Sequence, residues 1–113
     1  MRPVGSAGSW RVDDAGTVPV QQTTIDALKL GRCDAIYLDI EGAEPGALRG
    51  AERTIRTFRP VLHLEILPRA RGEILSITEA LGYGLVRHVH KDAIFVHGID
   101  TPPGDWRKAR MRP

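Results

Sequence analysis

Acidic side chains stand at the ends of two apolar segments, and these acids are the residues best suited to chemistry. Asp39 and Glu41 lie at the end of the segment over residues 35–40, and Glu65 lies at the end of residues 61–66. Ligands of open α/β sheets bind beyond the carboxyl ends of the strands, so carboxylates at these positions would face a ligand. A carboxylate placed there can take a proton from a hydroxyl group or accept its hydrogen bond.

Each of these acids also has a structural interpretation. Asp39 is either an orienting group or general base, or a structural acid that accepts hydrogen bonds from the N–H groups of a turn. Glu41 is either a substrate contact or an acid at the entry to the next helix. Glu65 either contacts substrate hydroxyl groups or pairs with a nearby arginine. The sequence leaves these alternatives open.

The turn after the first of these segments carries two further candidates. Gly42 would allow a backbone conformation, or a close approach, that a side chain would obstruct. Glu44 stands directly before Pro45, where its charge would favour the start of a helix. The alternative is a direct role in catalysis. Both residues therefore stay candidates for contact with a substrate.

The histidines and the single cysteine give little support for metal or thiol chemistry. His88 and His90 share one face of a predicted strand and His97 could lie across from them, but this group maps to the far edge of the sheet. His63 falls in a predicted buried strand and is interpreted as a core histidine. We therefore predict no metal site, and nothing around Cys33 marks it as a nucleophile.

The segments that carry the acids predict a β-α-β unit. Residues 35–40 and 61–66 are short apolar runs with the length of buried strands. A helix is predicted between them, from Pro45 to Phe58, because apolar residues recur on one face: Leu48, Ala51, Ile55 and Phe58. A unit of roughly 30 residues with such a crossover makes the two strands parallel.

A helix and a hairpin follow this unit, and a short helix precedes it. Periodicity predicts a helix over residues 73–81 and then strands over residues 85–90 and 93–97. Only two residues separate these strands, so they must form an antiparallel hairpin. Upstream, a helix is predicted to begin at residue 23 or 24 and to end at residue 31, with Asp26 in its first turn.

Composition limits the classes of protein that this chain can be. Its 113 residues fit one domain, and 42% hydrophobic with 27% charged residues is close to the globular average. The net charge is only +2, so no nucleic-acid partner is expected. A single cysteine favours a reducing, cytoplasmic location, and the lack of a long apolar run predicts no membrane association.

Four motifs occur in order along the chain. They are VPV at 18–20 followed by TIDAL at 24–28, YLDIEGAE at 37–44, LRGA at 48–51, and RPVL at 59–62 followed by LE at 64–65. Together they resemble the FkbM family of S-adenosylmethionine-dependent methyltransferases, in which the same motifs stand in this order and spacing. The resemblance covers about residues 5–98.

This resemblance implies a partial Rossmann-like sheet of the class I methyltransferase fold, with parallel strands, helices and a C-terminal antiparallel hairpin. The predicted strands correspond to the fourth through seventh of the family's seven. We expect an irregular lead-in over residues 1–17, the C-terminal part of a methyltransferase domain over 18–100, and a basic, Pro-rich tail over 101–113. The family's glycine-rich cofactor loop has no counterpart here, so the cofactor-binding residues are unknown and a truncated domain is expected.

The resemblance also implies a reaction: transfer of a methyl group from S-adenosylmethionine to a hydroxyl group of a sugar or another secondary metabolite. The acceptor would be a small molecule. Asp39 and Glu41 would be the catalytic residues, and Gly42, Glu44 and Glu65 would contact the substrate.

A non-enzymatic alternative uses the edge of the sheet. The chain would then be an α/β module that binds a partner, or completes a split enzyme, through the open edge at residues 35–40. This alternative predicts a homo-oligomer or a complementary N-terminal half as the partner.

Overall fold

The computed structural model describes residues 21–99, together with the backbone of two short strands, β1 (Arg2–Pro3) and β2 (Trp10–Arg11). These two strands pair antiparallel with each other. Apart from them, the predicted lead-in over residues 1–17 lies outside the described residues, and so does the predicted tail over 101–113.

Four strands form the main sheet, in the order β3-β4-β6-β5. They are β3 (Ala35–Leu38), β4 (Val61–Glu65), β5 (Tyr83–Val89) and β6 (Asp92–His97). β3 pairs with β4 in parallel, as the crossover between them requires. β5 and β6 form the predicted antiparallel hairpin, and β6 also pairs antiparallel with β4. The predicted α/β class is therefore confirmed.

The helix predicted from Pro45 to Phe58 is in fact two helices, α1 (Glu44–Arg49) and α2 (Glu52–Phe58). The break falls at Gly50, a residue that weakens a helix. A Cβ atom at Gly50 would lie 3.0 Å from Thr24 Cγ2, and the Gly50 carbonyl accepts a hydrogen bond from the Asp26 N–H group at 2.9 Å. The upstream segment therefore packs into the break, and the prediction of one continuous helix was wrong.

The helix predicted over residues 23–31 is also shorter than expected. Only a 3-10 turn over Asp26–Leu28 forms, and it ends at Lys29, whose φ of 50° is left-handed. The Thr24 hydroxyl still accepts a hydrogen bond from the Ala27 N–H group at 3.1 Å, as an N-cap does. The third helix, α3 (Arg71–Ala80), lies close to the predicted residues 73–81.

Asp26 acts on α2 across the break, a role that its own segment does not reveal. Its carboxylate accepts hydrogen bonds from the Arg53 N–H group at 3.0 Å and from the Thr54 N–H and hydroxyl groups, both at 2.8 Å. Burial by itself would raise the pKa of Asp26, but the hydrogen bonds from Thr54 and Arg53 outweigh it and lower that pKa. Asp26 thus supplies the N-terminal cap that Ala51 lacks.

One face of the sheet packs against the helices and forms the core. Its fully buried large apolar side chains come from helices, strands and the end of β4: Leu48, Ile55, Leu62, Leu64, Ile66, Ile74 and Phe95. On the strands, the intervening side chains point to the other face. Two of these, Tyr37 and Val61, are exposed. No helix in the described part of the chain is long and apolar enough to cross a bilayer.

Candidate functional site

The carboxyl ends of β3 and β4 bring the predicted acids together. Leu38 is paired with Leu64, so Asp39 and Glu65 occupy the next position on adjacent parallel strands. One carboxylate oxygen from each of Asp39, Glu41 and Glu65 lies within 4.8 Å of the others. Asp39 and Glu41 are exposed and Glu65 is half-buried. This acidic edge, defined by the three residues, lies where open α/β sheets bind ligands.

Glu65 has an unusual proton affinity because of this arrangement. Burial, a hydrogen bond with Asp39, and the negative charges of Asp39, Glu41 and Glu44 raise the pKa of Glu65 to about 7. Two carboxyl groups can share a hydrogen bond only when one of them carries a proton, so Asp39 and Glu65 act as a coupled pair. Such a pair can exchange a proton near neutral pH, which suits acid–base chemistry.

We expect the raised pKa of Glu65 to appear as a pH dependence of stability. Between pH 4.5 and about 7, the native chain holds a proton on Glu65 that the unfolded chain releases. The stability that Glu65 contributes is therefore complete below pH 4.5 and is lost as the pH rises through about 7. In urea titrations across this range, the wild type should lose stability relative to Glu65→Gln, which cannot titrate there. Parallel curves for the two proteins would contradict the raised pKa.

Glu44 is fully buried, and its carboxylate lies inside the turn that follows β3. It accepts hydrogen bonds from the Ile40 N–H group at 2.7 Å and from the Gly42 N–H group at 2.9 Å. Glu41, the residue between these donors, has a left-handed φ of 57°. Glu44, predicted as a substrate contact, therefore has a structural role: it holds the backbone that carries Glu41.

Gly42 makes room for a side chain that sequence reasoning missed. Its φ is +98°, and a Cβ atom there would lie 3.0 Å from Arg69 Nη2 and 3.5 Å from Leu67 Cδ1. Arg69 belongs to a 3-10 turn over Pro68–Ala70, in the loop that follows β4. Ligand contacts are expected in a loop that follows a parallel strand. The position of Arg69 in such a loop could therefore have marked it as a candidate in the sequence.

His63 lies on the exposed face of the sheet, so its interpretation as a core histidine was wrong. Its side chain is 39% exposed, and its ring lies 4.4 Å from that of Tyr37, between centroids. His63 Nε2 lies 3.5 Å from an Asp92 carboxylate oxygen, too far for a strong hydrogen bond. The face of β3 and β4 beside the acidic edge thus carries an aromatic pair.

The remaining histidines stand apart from the acidic edge. His97 packs edge-to-face against Tyr83, with 5.4 Å between ring centroids, and its Nε2 fills the space beside Gly82. Over the described residues, the side chains grouped closely enough to hold a metal ion are the three acids, and no histidine belongs to that group. Cys33 is buried, and burial is the main cause that raises the pKa of its thiol, so it is a poor nucleophile.

Comparison with protein-family models gave a match. The family model described as the methyltransferase FkbM domain matches residues 1–85. This match covers most of the 113 residues and includes β3, β4 and all three acids. Neither the curated proteins nor the solved structures gave a match.

Proposed function

Because the chain belongs to the methyltransferase FkbM domain family, we propose that it transfers a methyl group from S-adenosylmethionine to a hydroxyl group of a sugar or another secondary metabolite. The observation that carries this proposal is the convergence of Asp39, Glu41 and Glu65 at the carboxyl ends of two parallel strands. The parallel pair and its crossover also favour a Rossmann-like sheet of the class I type. The single cysteine, Cys33, favours a reducing compartment, so a cytoplasmic location is proposed.

Asp39 is the proposed general base. Its carboxylate is exposed at the acidic edge, where a hydroxyl group can reach it. Methyl transfer would break the carbon–sulfur bond of the donor, release S-adenosylhomocysteine and form the new carbon–oxygen bond, while the hydroxyl proton would pass to Asp39. Glu65, with its pKa of about 7, holds or releases a proton beside Asp39. Glu41 is the second proposed catalytic acid, and Gly42 and Glu65 are proposed to contact the acceptor.

The acidic edge fits the proposed methyl donor in one respect. S-adenosylmethionine supplies a methyl group on a positively charged sulfur, and the carboxylates of Asp39, Glu41 and Glu65 would favour a positive charge nearby. No strand in residues 21–99 is followed by a glycine-rich loop of the kind that holds the rest of this cofactor. Further cofactor contacts are therefore not assigned to this part of the chain.

A methyl-transfer assay tests the catalytic proposal. The chain is incubated with S-adenosylmethionine labelled in its methyl group and with a panel of neutral and acidic sugars, and its folding is checked by circular dichroism. We expect label in at least one sugar, in an ether that resists mild base. A folded chain that labels no acceptor would contradict the catalytic proposal and favour the second candidate.

The second candidate function is partner binding through β3. Over the described residues, β3 pairs only with β4, which leaves its other backbone edge open. Two large side chains beside this edge are exposed, Tyr37 by 61% and Ile40 by 42%. An open apolar edge favours pairing with another strand, from a second copy or from a complementary half of the domain.

The solution mass tests pairing with a second copy. Light scattering at increasing protein concentration should reveal a species of twice 12.4 kDa. Tyr37→Lys should shift it towards the monomer, because a charged edge resists pairing. The matched control is Val86→Lys on β5, a residue exposed by 46% at the opposite edge of the sheet. A monomer at every concentration would contradict pairing of β3 with a second copy.

A further inference from the structure

The guanidinium group of Arg69 lies against the Gly42 turn, at the border of the acidic edge. Arg69 Nη2 and Cζ are 3.0 and 3.8 Å from the position that a Cβ atom of Gly42 would occupy. The side chain is exposed, and its backbone is fixed by the Pro68–Ala70 turn that leaves β4. The group therefore lies beside the turn and remains open to solvent.

In the part of the chain that the structure describes, no carboxylate forms an ion pair with Arg69. Several other exposed arginines pair with a carboxylate: Arg32 with Asp34, Arg49 with Glu73, and Arg56 with Glu52. Within residues 21–99, Arg69 forms no such ion pair, although three acids converge at the same edge. The donors of its guanidinium are thus free for a ligand, and their planar arrangement matches a carboxylate or a phosphate.

The opposite charges divide the site around the Gly42 turn. The negative charge of the acidic edge repels an anion, whereas the guanidinium of Arg69 attracts one. A ligand with a hydroxyl group and an anionic group would therefore enter in one orientation, with its anion on Arg69 and its hydroxyl towards the acids. A neutral ligand would gain nothing from Arg69.

We propose that Arg69 binds an anionic group of the acceptor, a carboxylate or a phosphate, and so selects acidic sugars over neutral ones. This inference rests on the proposed function, since it assigns the anion to the methyl acceptor. Arg69 is a specificity-determining residue in this arrangement and takes no part in the proton transfer.

Nuclear magnetic resonance of the ¹⁵N-labelled chain tests the inference without any need for turnover. The probes are glucuronate, glucose 6-phosphate and glucose, which differ in the anionic group. At least one anionic sugar should shift the Arg69 side-chain N–H signal and the Gly42 amide signal, and glucose should shift neither. Arg69→Gln should weaken this binding about tenfold or more, the loss expected for a hydrogen bond between charged groups.

Two variants and one further ligand complete the experiment. Arg69→Lys keeps the charge but loses the planar donors, so it should bind with intermediate affinity. Arg53→Gln, on the exposed surface of α2, is the matched control and should bind within about twofold of the wild type. Unchanged affinity in Arg69→Gln, or equal shifts with glucose, would overturn the inference. A response of Arg69 to S-adenosylhomocysteine but to neither acidic sugar would overturn the assignment to the acceptor.

The same experiment separates this inference from the proposed function. Binding of an anionic sugar at Arg69 by a chain that transfers no methyl group would support the anion site and contradict the catalytic proposal. Methyl transfer to acidic and neutral sugars with equal kcat/KM, unchanged in Arg69→Gln, would support catalysis and overturn the selection of acidic acceptors.

Discussion

Replacing Glu44 with alanine should lower the free energy of unfolding by about 3–5 kcal/mol. The carboxylate is fully buried and accepts two backbone hydrogen bonds, from Ile40 at 2.7 Å and from Gly42 at 2.9 Å. Each hydrogen bond to a charged group stabilises a protein by about 1.5–3 kcal/mol, and its loss here leaves a donor in the turn without its partner. The loss is a large part of the stability of a domain of this size.

Urea unfolding followed by circular dichroism measures this effect. Glu44→Gln keeps one acceptor oxygen and should lose about half as much stability as Glu44→Ala. The matched control is Glu52→Ala, which removes an exposed glutamate paired with Arg56 and should cost less than about 1 kcal/mol. A loss below about 1 kcal/mol in Glu44→Ala would show that the two hydrogen bonds do not hold the turn.

Replacing Asp39 with asparagine should reduce the rate of methyl transfer by about 10²–10⁴-fold, the usual contribution of a general base. The amide keeps the size of the side chain but cannot take up the hydroxyl proton. Because Asp39 is exposed, the free energy of unfolding should change by less than about 1 kcal/mol. The substitution also removes a charge that raises the pKa of Glu65, so that pKa should fall towards its ordinary value.

Two measurements distinguish a base from a structural acid at this position. The rate comes from the labelled-methyl assay, and the pKa of Glu65 comes from its carboxyl ¹³C shift during a pH titration. Asp34→Asn is the matched control, since Asp34 is exposed and pairs only with the surface residue Arg32 in the described chain. A normal rate in Asp39→Asn would rule out the proton-transfer role. A lowered pKa of Glu65 in the same variant would still confirm that the two side chains are coupled.

The central architecture followed from local patterns in the sequence. Two apolar segments joined by a crossover predicted the parallel strands β3 and β4, because the chirality of the chain allows few other arrangements. Asp39 and Glu65 come at the carboxyl ends of those strands, so their meeting at one edge could be predicted as well. The two residues between β5 and β6 were too few for anything but an antiparallel hairpin.

The placement of the hairpin and the break in the helix were not readable in this way. β6 lies next to β4 because its side chains Ala93 and Phe95 are buried in the core, whereas the edge strand β5 carries exposed Val86 and Val89. The helix breaks at Gly50 because Thr24 and Asp26 pack there from a distant segment. Both outcomes depend on packing between segments, which the periodicity of either segment does not encode.

The sequence by itself determined which acids meet at the carboxyl ends of β3 and β4, and only the tertiary structure decided their contacts. Its motifs and strand ends selected Asp39, Glu41 and Glu65. The raised pKa of Glu65, the buried hydrogen bonds of Glu44 and the position of Arg69 over Gly42 all emerged from the folded chain. The physical reason is that charge interactions and hydrogen bonds depend on distances of a few ångströms, which folding sets between residues far apart in sequence.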